Sequence, residues 1–248
     1  MAPIIEISDD VLKGLELTRV PYKLVKSAQT PVTSAPLRTF GNENYVLLDR
    51  EHQNGNYSRV DLLVPFEKTH LGERWNDCNT PILFASEQGY MPSARQHADF
   101  LKLIKSGKAF DGSGNKISSI RLKALYEEIT AVRESWRAEW LDAKFGNGTI
   151  TYHLIEKDGS VKSVIEKLNK CLMEDKTPGI SLDSWLKTAD SHGLPTSKTR
   201  RGNLYFWHPR ENAVAGFISS SDGASLGCYG NPAGRNDSLG VRVVRKKS

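Results

Sequence analysis

Residues 212–244 constrain this chain more than any other stretch. From Asn212 to Tyr229 the sequence alternates with a period of two. Ala213, Ala215 and Phe217 fall on one side of an extended strand, and Val214, Gly216 and Ile218 fall on the other. Asp222-Gly223 supplies a turn, after which Leu226 and Cys228 continue the first side while Ser225, Gly227 and Tyr229 continue the second. A helix would mix these two sets around its circumference, whereas an antiparallel hairpin keeps them apart. The pattern predicts a half-buried hairpin with a small apolar face inward and a chemically mixed face outward. Gly230 to Ser238 reads as a loop, punctuated by Pro232 and by closely spaced Gly and Asn, and Leu239 to Val244 reads as a closing strand.

The rest of the chain is read in the same way. Tyr45 to Leu48 and Val60 to Val64 are expected as short strands flanking a polar turn at His52 to Ser58. Ser93, with Gln96 three residues on, forms a capping-box signature ahead of Phe100, Leu101 and Ile104, and Gly107 stops that helix. Leu122, Leu125, Ile129, Val132, Trp136 and Trp140 recur at steps of three and four and predict one long helix ending before Gly146-Asn147-Gly148. Thr149 to Ile155 predicts a strand and Asp158-Gly159 a turn. Val164, Ile165, Leu168 and Leu172 predict a further helix ended before Pro178, and Ser181 caps a short one that stops at Gly193. Near the start, Ile4 to Ile7 reads as a strand and Ser8 as the cap of a helix over Asp9 to Leu17. An irregular segment with Pro21, Pro31 and Pro36 follows. The expected organisation is an N-terminal extension over residues 1–40 and one α+β domain over residues 41–248, with an antiparallel sheet and two principal helices.

Composition removes several function classes. Hydrophobic residues are 38% and charged residues 25% of the chain, which suits an ordinary globular core and argues against wholesale disorder. The net charge of +5 is weak ground for a nucleic-acid partner, because Arg242, Arg245, Lys246 and Lys247 contribute much of it as a basic tail read as a solvated end. Cys78, Cys171 and Cys228 are far apart and odd in number, so neither a CxxC zinc site nor a disulfide framework is expected, and the thiols read as small buried hydrophobes. No signal peptide is read at the N-terminus, and no stretch reaches the ~18 apolar residues of a membrane span. The six histidines form no HExxH, and no P-loop or GxGxxG occurs. Trp75-Asn76-Asp77 and the Asp111-to-Asn115 run offer oxygen ligands. The second lacks the glutamate that closes a calcium loop and reads as a tight turn. No metal, cofactor or catalytic set is expected, and the chain is read as non-enzymatic.

One compositional bias remains. Residues 212–244 hold no Lys, Glu, Gln, Trp or Met, although these types make up nearly a fifth of the chain. Three runs in and just before this window carry a family likeness: Glu211-Asn212-Ala213-Val214-Ala215-Gly216-Phe217, Ser221-Asp222-Gly223-Ala224-Ser225-Leu226-Gly227-Cys228, and Leu239-Gly240-Val241-Arg242-Val243-Val244. They resemble the variable regions of diversity-generating retroelement proteins, above all the archaeal branch. Met91-Pro92-Ser93 ahead of a helix, and the closing Gly-Val-Arg strand, are similar to motifs of C-type-lectin folds of the formylglycine-generating-enzyme type. The resemblance covers roughly residues 80 to 248. It implies a C-type-lectin fold and a retroelement that rewrites adenine-bearing codons, a process that never yields the five missing residue types. Inheritance of the oxidase activity is not implied, since that needs paired cysteines near the C-terminus and Cys228 stands alone there.

Physical pattern and resemblance point to the same surface. Ala213, Ala215, Phe217, Leu226, Cys228 and Leu239 are expected as scaffold. Ile218, Ser220, Asp222, Ser225, Tyr229, Asn231, Gly234, Arg235, Asn236 and Asp237 are expected on display within a variable region spanning residues 201–244, with Ile218 balanced between display and core. Tyr205 and His208 are expected to join them from the preceding strand, with Trp207 packed below. The function expected is a ligand-binding display protein for an unknown protein or cell-surface target, cytoplasmic or carried on a virus particle. A viral structural or receptor-binding protein without diversification is the alternative. A DNA-binding regulator is a third reading, prompted by the Ile4–Leu17 strand and helix and by the basic balance. It is set back by Pro21 and the prolines beyond it.

Overall fold

The computed structural model describes residues 41–168 and 170–248. The strand and helix expected over Ile4 to Leu17 therefore lie outside the described residues. Among the described residues, eleven strands run in chain order as β1 (Tyr45–Leu48), β2 (Leu62–Pro65), β3 (Arg137–Gly146), β4 (Thr149–Ile155), β5 (Val161–Lys167), β6 (Lys176–Ile180), β7 (Leu204–Trp207), β8 (Val214–Ser220), β9 (Gly223–Gly230), β10 (Leu239–Gly240) and β11 (Arg245–Lys246). The α-helices are α1 (Trp75–Cys78), α2 (Thr80–Glu87), α3 (Ala94–Lys105), α4 (Ser119–Thr130) and α5 (Leu182–Thr188). The architecture is α+β. The large sheet is ordered β5-β4-β3-β8-β9-β7-β6, with β10 running parallel to β3, and a small sheet is ordered β1-β2-β11. Pairing is antiparallel except for β7 with β9 and β10 with β3. Among the described residues, no helix is long and apolar enough to cross a membrane.

Local chemistry sets the helix starts. The Ser93 hydroxyl accepts from the Gln96 amide at 3.1 Å while Gln96 Oε1 accepts from the Ser93 amide at 2.9 Å, which completes the capping box of α3. Ser118 and Ser181 cap α4 and α5 in the simpler one-bond manner. The hairpin β8–β9 forms where alternation predicted it, and Gly223 turns it at a φ of 122°, a backbone conformation that side chains rarely adopt.

The large sheet carries packing on both faces around β3 and β8, while its edge strand β5 is largely exposed. One face packs Leu141, Ala215, Phe217, Leu226 and Cys228 against α3, α4 and α5, with Phe100, Leu101, Leu122 and Trp185. The other packs Trp140, Val214 and Leu239 against Trp75, Cys78, Leu83 and Met91 from the α1–α2 region. The segment after β10 runs between these two clusters. Val241 and Val243 enter the second, whereas Val244 enters the first.

Arg242 is the surprise of that segment. Read as part of a solvated tail, it is instead 1% exposed and points to the main core. Its Nη2 and Nε donate to Glu139 Oε1 at 2.6 and 3.1 Å, and its Nη1 donates to the Pro65 carbonyl at 2.8 Å and to that of Phe66. Arg137 donates to the same Glu139 oxygen and to Glu128. Buried charge survives only when paired and hydrogen-bonded, and a run of basic letters does not disclose that a partner lies a hundred residues upstream. Arg245 likewise pairs with Glu87 at 3.4 Å.

Two expected helices are corrected. The stripe from Leu122 to Trp140 is not one helix, since α4 ends at Thr130 and Trp136 and Trp140 belong to the β3 region. A step of four residues is also two steps of two, so Trp136, Ala138 and Trp140 share a strand face as readily as a helix face. Val164 and Ile165 lie in strand β5 rather than in a helix, paired with Tyr152 and Thr151. Their β-branching favours the extended state there. The closing strand expected over Leu239 to Val244 is broken: β10 spans two residues, and isolated bridges join Val241 to Thr69 and Val244 to Tyr90. Gly240 lets this segment approach, since a Cβ on it would sit 2.6 Å from the Thr69 carbonyl oxygen.

Burial lowers the His97 imidazole to about 4, against the opposing pull of Glu139. Burial alone would raise the Glu139 carboxyl, but Arg137 and Arg242 hold it well below the usual carboxylate range. The unfolded chain binds a proton on His97 below its ordinary pKa near 6.5 while the folded chain does not. Stability is therefore complete above pH ~6.5 and falls as pH drops toward 4, by about 3 kcal/mol in all. Urea titrations across this range should give that slope for the native chain, and His97→Gln should flatten it. An equal slope in both proteins would refute the assignment.

Candidate ligand-binding face

The site is built by two rows of side chains that cross the large sheet on its second face. In the first row Trp140 pairs with Gly216, Gly216 with Gly227, and Gly227 with Trp207, which places two glycines between two tryptophans. In the second, Ala138 pairs with Ile218, Ile218 with Ser225, and Ser225 with Tyr205. Glycines in a strand leave backbone with no side chain above it. The result is a trough of about 170 Å³, bounded by Trp136, Trp140, Ile218, Tyr229 and Leu239, with Ala138 and Gly230 completing the lining. Larger residues on its floor would crowd its aromatic walls. A Cβ on Gly227 would come 3.1 Å from the Tyr229 ring, and one on Gly230 would come 3.0 Å from the Trp140 ring.

A β-bulge sets the position of Tyr229. Val214 pairs with Gly230 and Gly216 with Gly227, so two residues of β9, Cys228 and Tyr229, oppose the single Ala215. Cys228 fills the main core, while Tyr229 stands out at 50% exposure and meets Trp207 edge-on, with ring centroids 5.7 Å apart.

The loop beyond the bulge holds its own shape. Ala233 N donates to Asn231 Oδ1, Gly234 N to the Asn231 carbonyl, and both Ser238 N and Leu239 N donate to Asn236, all at 2.9 Å. It is also fastened to α1: Asn76 N donates to the Pro232 carbonyl at 3.1 Å, and Arg235 lies 3.6 Å from Asp77. Lys68 donates to the Ser238 and Ala138 carbonyls beneath it.

Most expected display residues are exposed or half-exposed. Asp222, Tyr229, Asn231, Arg235, Asn236 and Asp237 are exposed, and Tyr205, His208, Ile218, Ser220 and Gly234 are half-buried. They fall into three groups. Ile218 and Tyr229 line the trough, with Asn231 through Asp237 in the loop joining Gly230 to Leu239 on its rim. Ser220 and Asp222 lie at the hairpin tip. His208 sits beyond the end of β7, where Asp175 accepts from its amide at 3.1 Å and contacts its Nδ1 at 2.9 Å, with Arg210 2.6 Å from the same carboxylate.

Three expectations need correction. Ser225 is not displayed: it is 9% exposed, between Ile218 and Tyr205, and its Oγ is buried with no hydrogen-bond partner. Trp207 is not below Tyr205 but on the same face two residues along, and Phe206 is the buried one. The outward face of the hairpin is covered at one end, where Val214 is buried beneath a second layer that packs over β3 and β8.

Sequence reasoning missed Trp136 and Trp140 as walls, having placed both on a helix, and Val132 beside the hairpin tip, which is 69% exposed. The available signal was the alternation Trp136-Ala138-Trp140. None of the residues lining the trough carries a charged side chain. Among the described residues, no group of three His, Cys, Asp or Glu is placed to hold a metal ion. What the arrangement offers is shape: an apolar slot with an aromatic rim. The chain matches no protein-family model, no curated protein and no solved structure at significant similarity.

The two faces of the hairpin should respond oppositely to substitution. Replacing Tyr229, Asn231, Arg235 or Asp237 by Ser should shift unfolding free energy by no more than about 0.5 kcal/mol, as for exposed positions generally. Phe217→Ala should cost about 3–5 kcal/mol, because its ring is fully buried against His97 and Trp185. Guanidinium unfolding midpoints read both, and comparable losses on the two sides would contradict the division into scaffold and surface.

Proposed function

We propose that this protein is a non-enzymatic ligand-display protein of C-type-lectin type, whose region 201–244 is diversified by a retroelement and recognises a protein or cell-surface target. The observation that carries the reading is the coincidence of two independent patterns. Residues 212–244 lack the five residue types that adenine-directed rewriting cannot produce. The same window supplies Tyr229 and the exposed loop positions Asn231, Arg235, Asn236 and Asp237 around an apolar trough. Tyrosine with small polar residues suits such a surface, since an aromatic ring gives contact area at little conformational cost and Asn and Ser adapt their hydrogen bonds.

The expected fold is consistent with this use. An α+β domain with a short capped helix ahead of a large sheet, closed by a buried C-terminal segment, holds loop positions on a fixed backbone. Changes at the tips then leave the packed interior alone.

The test has a genomic and a biochemical arm. The gene should be accompanied by a reverse transcriptase and by a near-copy of its last hundred or so bases, differing from it at adenines. In vitro, the purified chain should bind a target from an array of cell-surface proteins, and Tyr229→Ser together with Arg235→Ser should weaken that binding at least about tenfold. Absence of the near-copy refutes diversification and leaves an unvaried display protein. Target binding that is indifferent to both substitutions refutes the site.

A further inference from the structure

We infer that strand β5 is a dimer edge, which a second copy of this chain extends by antiparallel pairing about a two-fold axis at Val164. This goes beyond the display reading and does not depend on it.

Three observations select the edge and its occupant. The first is that β5 ends the large sheet, with no strand paired to its outer side among the described residues. Its seven residues carry no bulge, glycine or proline, and Ile165 stands on it at 68% exposure. Of the devices that blunt sheet edges it has only lysine, at 162 and 167.

The second is the direction of its main chain. Glu156 N donates to the Ser160 carbonyl and Leu168 N to the Gly148 carbonyl, both at 2.9 Å. Bonded and non-bonded pairs alternate along the antiparallel ladder that these two bonds bracket. Lys162, Val164 and Glu166 therefore direct their main-chain groups to β4, while Val161, Ser163, Ile165 and Lys167 turn theirs outward. Ile155, which faces Val161, agrees: its N–H donates to the Tyr57 carbonyl and its carbonyl accepts from Arg59 N, away from β5.

The third is self-complementarity. A single symmetric register pairs all seven residues with a second β5. It sets Lys162 opposite the partner's Glu166, Ser163 opposite the partner's Ile165 and Val164 opposite the partner's Val164, and outward main-chain groups meet outward ones throughout. The two Lys–Glu pairs fall at non-bonded positions, where facing side chains come closest. Sliding the copies by two residues keeps the main-chain match and loses both charge pairs, and sliding by one loses the main-chain match as well. The main-chain groups would take any strand, whereas the order Lys-Val-Glu on alternate positions is met in reverse by a second copy. Glu166 is already oriented: its carboxylate is half exposed and accepts from the Tyr152 hydroxyl at 3.1 Å, with His192 Nε2 at 3.5 Å.

Pairing of this kind continues the sheet with the same face upward in both copies. The trough straddles β8, three strands in from β5, so the two troughs would open on one side seven strand spacings apart, about 34 Å. On the display reading the molecule is then bivalent.

Seven residues a side fall short of the ~20–30 of a stable interface, so monomer and dimer should exchange at micromolar concentrations. Sedimentation of the full chain from ~5 µM to ~500 µM should show its mass rising from one chain toward two. Amide exchange at the upper concentration should slow at Ser163 and Ile165, whose N–H groups face outward. Ser163→Pro removes an outward donor that β4 does not use, and should leave the chain folded and monomeric. Lys162→Glu and Glu166→Lys each set like charges opposite one another, and each alone should dimerise at least about tenfold more weakly. Mixed in equal amounts they should recover the native dimer, because every facing pair is then opposite in charge. If Glu166→Lys fails to fold for want of its contacts with Tyr152 and His192, Ser163→Pro and Lys162→Glu decide. A native chain that stays monomeric throughout overturns the inference and leaves the edge to a foreign strand. A dimer indifferent to Ser163→Pro overturns the edge, and one lost there but indifferent to Lys162→Glu overturns the register. Growth beyond two chains overturns the closed two-fold pairing. Each of these results leaves target binding through Tyr229 and Arg235 to be judged on its own.

Discussion

A carboxylate with no exposure to water sits between the sheet and helix α3, and most of what the C-terminal segment does follows from its hold on Arg242. Glu139 meets Arg242 and Arg137, while Arg242 also donates to the carbonyls of Pro65 and Phe66 on the small sheet. An ion pair of this kind adds little net stability over apolar residues of the same shape, because desolvating the charges offsets their attraction. Its effect is on register. Slipping the segment by one residue would drive the guanidinium into the second cluster, among Trp75, Leu83 and Met91, and bring valines against Glu139. A charge stranded among apolar groups costs far more than a misplaced methyl. The pair thus fixes where Leu239 and Val241 lie, and Leu239 is one wall of the trough.

How much of this was legible in the sequence depended on whether the signal was local. The hairpin was readable because alternation is a property of neighbours, and so was the start of α3, where both halves of the capping box lie within four residues. The stripe from Leu122 to Trp140 failed at a known ambiguity. After Ile129 the spacings stay at three and four, yet Thr130 and Val132 are β-branched and poor helix formers, and the Ser219 hydroxyl ties off the Ile129 carbonyl from a strand ninety residues away. Nothing local reports that bond. Arg242 was misjudged for the same reason, since its basic neighbours are visible in the sequence and its acid partner is not. Ser225 was misplaced because period two says which face a residue takes, and not whether another layer covers that face.

That covering layer explains why the site lies where it does. The segment before α1, with α1 and α2, closes over Trp140 and Val214. The Trp140 indole donates to the Glu73 carbonyl at 3.1 Å, and that of Trp75 donates to the Leu141 carbonyl at 3.0 Å. Over Gly216 and Gly227 the cover gives out. On two-layer packing alone this stretch of sheet would be filled by side chains from its own strands. Glycine at both positions, and the bulge that turns Tyr229 away from the floor, prevent that. A gap left in an otherwise close-packed molecule loses dispersion contacts on every wall.

The same geometry bears on how a surface of this kind could vary without unfolding. In the stretch around β8 and β9 the residues that build the core are Ala215, Phe217, Leu226 and Cys228, each next in sequence to a residue on the opposite face. Change on one side of a strand reaches the other only through backbone, and the backbone is held by pairing to β3 and β7 on either flank. The loop 231–238 needs only an oxygen at Asn231 and Asn236 to keep its turns, which Asp or Ser also provides. The proposed diversification would then operate on positions whose structural demand is a short polar side chain or none. The trough would be part fixed and part changeable, since its walls at Trp136 and Trp140 lie outside residues 201–244 and those at Ile218 and Tyr229 lie within them.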